Sequence, residues 1–129
     1  MFIDSNIFLH SIYRSANTLR CQAFICKVES GEQNAIASVM VLDEVLFSLM
    51  KHTGREESER IIHKFISLPH LNVVGVAPED FIESLSFVRQ GLEPHDALHA
   101  AVMRAQGVST ILSYDKDFDK IKSVKRMEP

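Results

Sequence analysis

Short apolar stretches alternate with amphipathic helical stretches along the whole of this chain, and that alternation restricts its fold more than any other feature. Met1-Phe2-Ile3, Asn34 to Ser38, Leu71 to Val76, Ser109 to Ser113 and a short stretch near Val124 read as strands. Strands joined through helices return by crossovers, so they pair side by side in parallel and are covered on both faces. The expected fold class is α/β, in three layers, with a central, mainly parallel sheet flanked by helices. With 129 residues and 46% of them hydrophobic, one domain over 1–129 with a real core is expected.

Local signals set the helices. Asp4-Ser5-Asn6 follows the first strand, and any of the three can cap a helix whose apolar members are Ile7, Phe8, Ile12 and Tyr13. A second helix runs from about Asn17 to Glu29 with Leu19, Ala23 and Cys26 on one face, and Gly31 ends it. Val39 to Lys51 carries Val41, Val45, Leu46, Leu49 and Met50 as its buried stripe. Arg55 to Leu68 turns Ile61, Ile62, Phe65 and Ile66 inward before Pro69 breaks it. Pro78 opens a helix bearing Phe81, Leu85 and Val88. Pro94 opens the next, apolar at Ala97, Leu98, Ala101, Val102 and Ala105 and stopped by Gly107. A turn of helix at Asp117 to Ile121 precedes the last strand.

In an open α/β sheet, ligands gather beyond the carboxyl ends of the strands. Asp4 lies at that end of the first strand, and Glu44 lies on the helix leaving the second. Asp96 stands at the start of the helix leading to the fourth strand, and Asp115 and Asp117 follow that strand. Acidic caps are common at helix starts, so Asp96 taken alone reads as structural. Four acids at equivalent ends read as a site. Carboxylates ~5 Å apart at an effective dielectric near 20 repel by about 3 kcal/mol per pair, so protons or cations must intervene. An oxygen-only donor set, with no Cys or imidazole beside it, suits Mg²⁺ or Mn²⁺. Such ions activate water and stabilise the leaving oxygen of a phosphodiester. Asn6 and Ser113 are placed to hydrogen-bond the acids, or else serve as a cap and a strand-end hydroxyl.

Four ordered stretches carry a family resemblance: Phe2-Ile3-Asp4-Ser5-Asn6-Ile7, the Glu of Val41-Leu42-Asp43-Glu44-Val45, Asp96-Ala97-Leu98-His99-Ala100-Ala101, and Ser113-Tyr114-Asp115-Lys116-Asp117-Phe118. Together they resemble the motifs of PIN domains, over essentially the whole chain. The resemblance implies a single PIN-like nuclease domain over 1–129 and a Mg²⁺- or Mn²⁺-dependent endoribonuclease. Asp4, Glu44, Asp96 and Asp115 match the family's metal-binding acids, Asp117 a more variable fifth acid, and Asn6 and Ser113 its polar accessory positions. Glu44 is preferred over its neighbour Asp43 on that match. A lone domain of this length is similar to the toxins of VapBC-type toxin–antitoxin pairs, which implies RNA as substrate, an antitoxin partner and a homodimer. The alternatives are a non-catalytic RNA-binding or scaffolding PIN module, which would be expected to have lost an acid, and a housekeeping RNA-processing nuclease. Receiver domains and aspartyl-phosphate phosphatases also set acids at strand ends. The stretch Asp4-Ser5-Asn6 lacks the second Asp of the phosphatase motif, and Leu71 to Val76 ends without a phosphoacceptor Asp.

The remaining features are weaker. A net charge of −3 argues against binding nucleic acid through bulk basicity. The local run Lys116, Lys120, Lys122, Lys125 and Arg126 is either a solvated face or a guide for an RNA backbone. His99, one turn after Asp96, is expected to be a partly buried His with a local partner, a general base being the other reading. Phe47, Met50, Ile61, Ile62 and Phe65 serve either a dimer surface or the core. Cys21 and Cys26 are expected to be reduced, partly buried thiols. No apolar run reaches the ~20 residues of a membrane span and no basic segment precedes Met1-Phe2-Ile3, so a cytoplasmic protein is expected.

Overall fold

The computed structural model describes residues 1–129. Its elements follow in the order β1 (Phe2–Ile3), α1 (Ser5–Ile12), α2 (Thr18–Ser30), β2 (Ala35–Ser38), α3 (Val39–His52), α4 (Arg55–Ile66), β3 (Leu71–Val74), α5 (Pro78–Val88), α6 (Pro94–Ala105) and β4 (Thr110–Leu112), then a 3-10 turn (Lys116–Lys120) and β5 (Lys125–Met127). The five strands form one sheet in the order β3-β2-β1-β4-β5, and every pairing is parallel. The strand reading therefore holds, with β3 two residues shorter than expected and β5 displaced from Val124 to Lys125–Met127.

The sheet order carries the functional consequence. From β1 the chain steps to β2 and β3 on one side, then crosses back to place β4 on the other side of β1. The crevice between β1 and β4 is the switch point at which ligands gather in such sheets. Phe2 pairs with Ile111 and Ile3 with Leu112, so the residues that follow, Asp4 and Ser113, emerge side by side.

The core is contiguous and centred on the sheet, with Phe2, Ile3, Ile7, Phe8, Val41, Leu49, Ile111 and Phe118 fully buried. Several helices present a different face to it than periodicity suggests. On α2, Cys21, Phe24 and Val28 are buried, whereas Leu19, Ala23 and Cys26 face outward. Two apolar stripes compete on that helix, and the one carrying the larger side chain, Phe24, packs inward. On α3 the buried set is Val41, Leu42, Val45 and Leu49; Leu46 is half-buried and Met50 is exposed. On α4 only Ser58 and Phe65 are buried, and Ile66 is exposed. On α6, Ala97, Ala101 and Val102 are buried as expected, joined by His99, Ala100 and Met103, while Ala105 is exposed.

The largest departure is α5. Asp80, Ser84 and Phe87 face inward, and Phe81, Ile82, Leu85 and Val88 remain exposed, Phe81 at 61% and Ile82 at 68%. Inward polar groups are tolerated because each has a partner: Asp80 accepts from the Ala77 N–H at 2.8 Å, and the Ser84 hydroxyl donates to the Phe81 carbonyl at 2.7 Å.

Candidate active site

Asp4 is where the site is assembled. Ile3 ends β1, and Asp4 takes an extended conformation as the N-cap of α1, its Oδ1 accepting the Ser5 N–H at 2.6 Å. Its Oδ2 accepts from Asn6 Nδ2 at 2.6 Å and from the Ser113 hydroxyl across the β1–β4 crevice. Asn6 also donates to Ser113 Oγ at 3.0 Å and accepts the Tyr114 N–H at 3.3 Å, stitching α1 to the end of β4. Ser113 Oγ in turn receives the Asp115 N–H at 2.9 Å. Both readings of Asn6 and Ser113 thus resolve into one: they bind the Asp4 carboxylate directly. Of the three candidate caps, Asp4 is the one used.

Glu44 reaches the same place from α3, whose N-cap is Ser38 at the end of β2, bonded to the Val41 N–H at 3.3 Å. Asp43 beside it is exposed, whereas Glu44 is only 18% exposed and faces α6. Asp96 lies within the first turn of α6 but is not its cap; Glu93 holds that position, without a side-chain cap bond. The capping role open to Asp96 in the sequence is therefore not the one it has. Asp115 is exposed at the rim, and its Oδ1 accepts the Asp117 N–H at 2.8 Å. Asp117 contributes through that backbone group, for its carboxylate pairs with Lys120 at 3.0 Å.

An imidazole sits within this cluster, contrary to the oxygen-only set read from the sequence. His99 is 1% exposed, and its Nε2 lies 3.2 Å from Glu44 Oε1 and 3.3 Å from Oε2. Ligand atoms of Asp4, Glu44 and His99 all fall within 4.8 Å of one another. His95, exposed one turn earlier, brings Nδ1 to 3.3 Å from Glu44 Oε1. The partner of His99 is thus on another helix rather than local. The spacing Asp96-x-x-His99 was the available signal, since residues three apart share a helix face.

The electrostatics match the crowding. Burial raises the Asp4 carboxyl above the usual range, the Ser113 bond opposes this, and the Glu44 charge adds to it. Asp96 is pushed up to about 6, first by burial and then by the charges of Asp4 and Asp115, with Glu44 adding and His99 opposing. Burial also raises Glu44, but its hydrogen bond and charge interaction with His99 outweigh that and hold it below the ordinary value. Burial lowers His99, and Glu44, Asp4 and Asp96 together reverse the direction.

The chain matches the PIN domain family over residues 1–124. It belongs to that family. A VapC ribonuclease of Mycobacterium bovis and ribonuclease VapC13 of Mycobacterium tuberculosis are each 25% identical to it over 130 residues, covering 98% of both chains. Among solved structures, M. tuberculosis VapC20, described as a sarcin–ricin loop cleaving toxin, superposes with a TM-score of 0.80 at 17% identity, covering 99% of this chain and 98% of that one. VapBC2 of Rickettsia felis, bound to a promoter DNA fragment, gives a TM-score of 0.71 at 16% identity, covering 98% and 96%. At these identities the superpositions speak for the fold: this PIN domain shares its three-layer architecture and parallel five-stranded sheet with VapC structures.

A separate hollow lies away from these acids. A cavity of about 660 Å³, lined by Phe87, Met103, Arg104, Ser109, Lys122 and Val124 among others, opens by the residues that precede β4 and β5, at the opposite end of those strands from Ser113 and Asp115. Two members of the basic run are occupied: Arg126 binds Asp119, Glu128 and the Ser113 carbonyl, and Lys120 binds Asp117. Neither Cys21 nor Cys26 is in a disulfide, and Cys26 is exposed rather than partly buried. No helix is long and apolar enough to cross a membrane.

Proposed function

We propose that this PIN domain is a Mg²⁺- or Mn²⁺-dependent endoribonuclease that hydrolyses RNA phosphodiester bonds as the toxin of a type II toxin–antitoxin pair. The observation that carries the reading is the convergence of Asp4, Glu44 and Asp96 at one crevice, where burial first, and then the charges of Asp4 and Asp115, raise the Asp96 carboxyl to about 6. The donor set fits a divalent ion: carboxylate oxygens of Asp4 and Glu44 lie within 4.8 Å of each other, and Glu44 Oε1 is buried with no well-aimed hydrogen bond, leaving an acceptor free. Asp4, Glu44, Asp96 and Asp115 would hold the ion, which when bound supplies an activated water and charge neutralisation at the phosphodiester. Asn6 and Ser113 fix the Asp4 carboxylate, and the exposure of Asp115 keeps the mouth open to a polymer. The names of the VapC relatives support RNA as substrate, and the VapBC structures support an antitoxin partner.

Purified protein should cleave RNA with Mg²⁺ or Mn²⁺, and EDTA should abolish cleavage. Expression alone should slow growth of a bacterial host, and Asp96→Asn should relieve it. Undiminished cleavage in EDTA removes the metal-dependent reading, and harmless expression of active protein favours a housekeeping nuclease over a toxin. The proposed location is the cytoplasm, where RNA and an antitoxin would meet it.

The proposed homodimer has the exposed apolar side chains of α5, Phe81, Ile82, Leu85 and Val88, as its available surface. Light scattering should then report a dimer for wild type and a monomer for Leu85→Glu. A wild-type monomer at micromolar concentration rejects the dimer. Of the residues weighed for that surface in the sequence, Phe47 and Met50 are exposed, Ile61 and Ile62 half-buried, and Phe65 belongs to the core.

A further inference from the structure

Within the nuclease centre proposed above, we infer that His99 is a positioning residue for Glu44: its Nε2–H holds the Glu44 carboxylate over the acidic cluster, and the imidazole is not itself a cation ligand. The inference rests on that reading of the centre and starts from where the ring is held. His99 is on the buried face of α6, 1% exposed, with its ring 5.9 Å from that of Phe2 at an angle of 43°. Phe2 is a fully buried residue of the central strand, so the ring has little room to turn.

The two ring nitrogens are not equivalent. Nε2 faces both Glu44 oxygens, at 3.2 and 3.3 Å, and its aligned bond is to Oε2. Nδ1 is buried with no hydrogen-bond partner. A histidine that ligates a metal donates its other ring N–H to an acceptor, which fixes the tautomer. Were Nε2 the ligand in neutral His99, the proton would sit on Nδ1, buried with nothing to accept it. With the proton on Nε2, that nitrogen donates to Glu44 and has no lone pair for a cation. The bond to Oε2 leaves Oε1 as the free acceptor: it is buried with no aligned hydrogen bond of its own, beside the ring nitrogens of His99 at 3.2 Å and His95 at 3.3 Å.

The position on α6 explains the pairing. Asp96 and His99 are three residues apart, on one helix face, with the acid nearer the mouth and the imidazole one turn deeper. α6 therefore supplies both an acid and the donor that orients an acid from α3. Glu44 has one aligned donor to set beside the three that fix Asp4. His99 supplies it.

The test measures Mn²⁺ binding by calorimetry, together with kcat and KM for RNA cleavage, in wild type, His99→Leu, His99→Gln, Glu44→Gln and the double variant His99→Leu/Glu44→Gln. A Gln amide can present an N–H near the place of Nε2; Leu fills volume without a donor. His99→Leu should bind Mn²⁺ about 10–100-fold more weakly and lose kcat on the same scale, with KM for RNA within about twofold. His99→Gln should recover most of both. Adding His99→Leu to Glu44→Gln should cost less than about threefold more, because the acid it positions is already gone. Should His99→Leu fail to fold, His99→Gln against His99→Asn carries the test, since Asn reaches only the place of Nδ1 and should lack the rescue. Wild-type Mn²⁺ affinity in His99→Leu, no rescue by Gln, or full additivity in the double variant each overturns the assignment. Wild-type protein that binds no Mn²⁺ overturns the nuclease-centre reading itself, an outcome distinct from a bound cation that ignores His99.

Discussion

Asp4→Asn should lower RNA cleavage at least about a hundredfold, the scale on which disturbing a metal ligand or its orientation acts. The loss has two sources. One carboxylate oxygen accepts from Ser5 and the other from both Asn6 and Ser113, so either orientation of an Asn amide turns an NH₂ toward a donor. The charge that faces Glu44 and Asp96 disappears at the same time. Folding should survive, because the substitution conserves volume and relieves a buried carboxyl whose ionisation burial already opposes. The informative measurement is cleavage rate alongside the melting temperature, with Asp43→Asn as the control: Asp43 is exposed beside Glu44, and its variant should cleave like wild type. A folded Asp4→Asn protein with full activity, once contaminating nuclease is excluded, rejects the centre.

Asp96→Asn should melt several degrees higher than wild type in EDTA at pH 7, while losing activity. A carboxyl moved from 3.8 to about 6 in the folded state binds its proton more tightly folded than unfolded. Its contribution to stability is complete below about pH 4 and is lost as pH rises through about 6, so at neutral pH the ionised group destabilises the fold. Taken at face value the displacement is worth roughly 3 kcal/mol; partial exposure and screening reduce it to about 1–2 kcal/mol. Asn removes that charge without opening a cavity, and no helix cap is lost because Glu93 is the N-cap. The gap between the two proteins should close near pH 4, where wild-type Asp96 is protonated. Saturating Mg²⁺ should stabilise wild type more than the variant and narrow or reverse the gap. A variant that melts lower than wild type in EDTA, with no differential effect of Mg²⁺, removes Asp96 from the acidic cluster.

The acids were legible in the sequence because punctuation marks element ends. Pro94, Gly107 and the run Asp4-Ser5-Asn6 fix where helices and strands begin and stop, and a parallel sheet then gathers one kind of end. Which face of a helix packs inward was less legible. Periodicity finds a stripe, but the neighbouring layer selects it: α5 turns Ser84 and Phe87 inward and leaves Phe81 and Ile82 in solvent. On α2 two stripes were available and the one holding Phe24 prevailed. For His99 a buried role with a local partner outweighed a general base in the sequence because a lone His on an apolar helix face resembles a core residue, and its partner, Glu44, lies 55 positions away. Within the basic C-terminal run the pairing of Arg126 was not legible, because the acids that occupy it, Asp119 and Glu128, flank it in sequence without regular helical spacing.

The middle strand of the sheet is also the first to be made, and this orders events during synthesis. Asp4 and Ser113 lie 109 positions apart. At about 5–20 residues per second, Asp4 exists for roughly 5–20 s before the hydroxyl it accepts from has been translated. Throughout that interval β1 can pair only with β2, and the nascent chain has neither β4 nor Asp115. A message broken upstream of the Asp115 codon yields a fragment with an open sheet edge and an incomplete set of acids. On the proposed reading the acid set is complete only once Asp115 has been translated, so a fragment that stops short of it is expected not to cleave RNA.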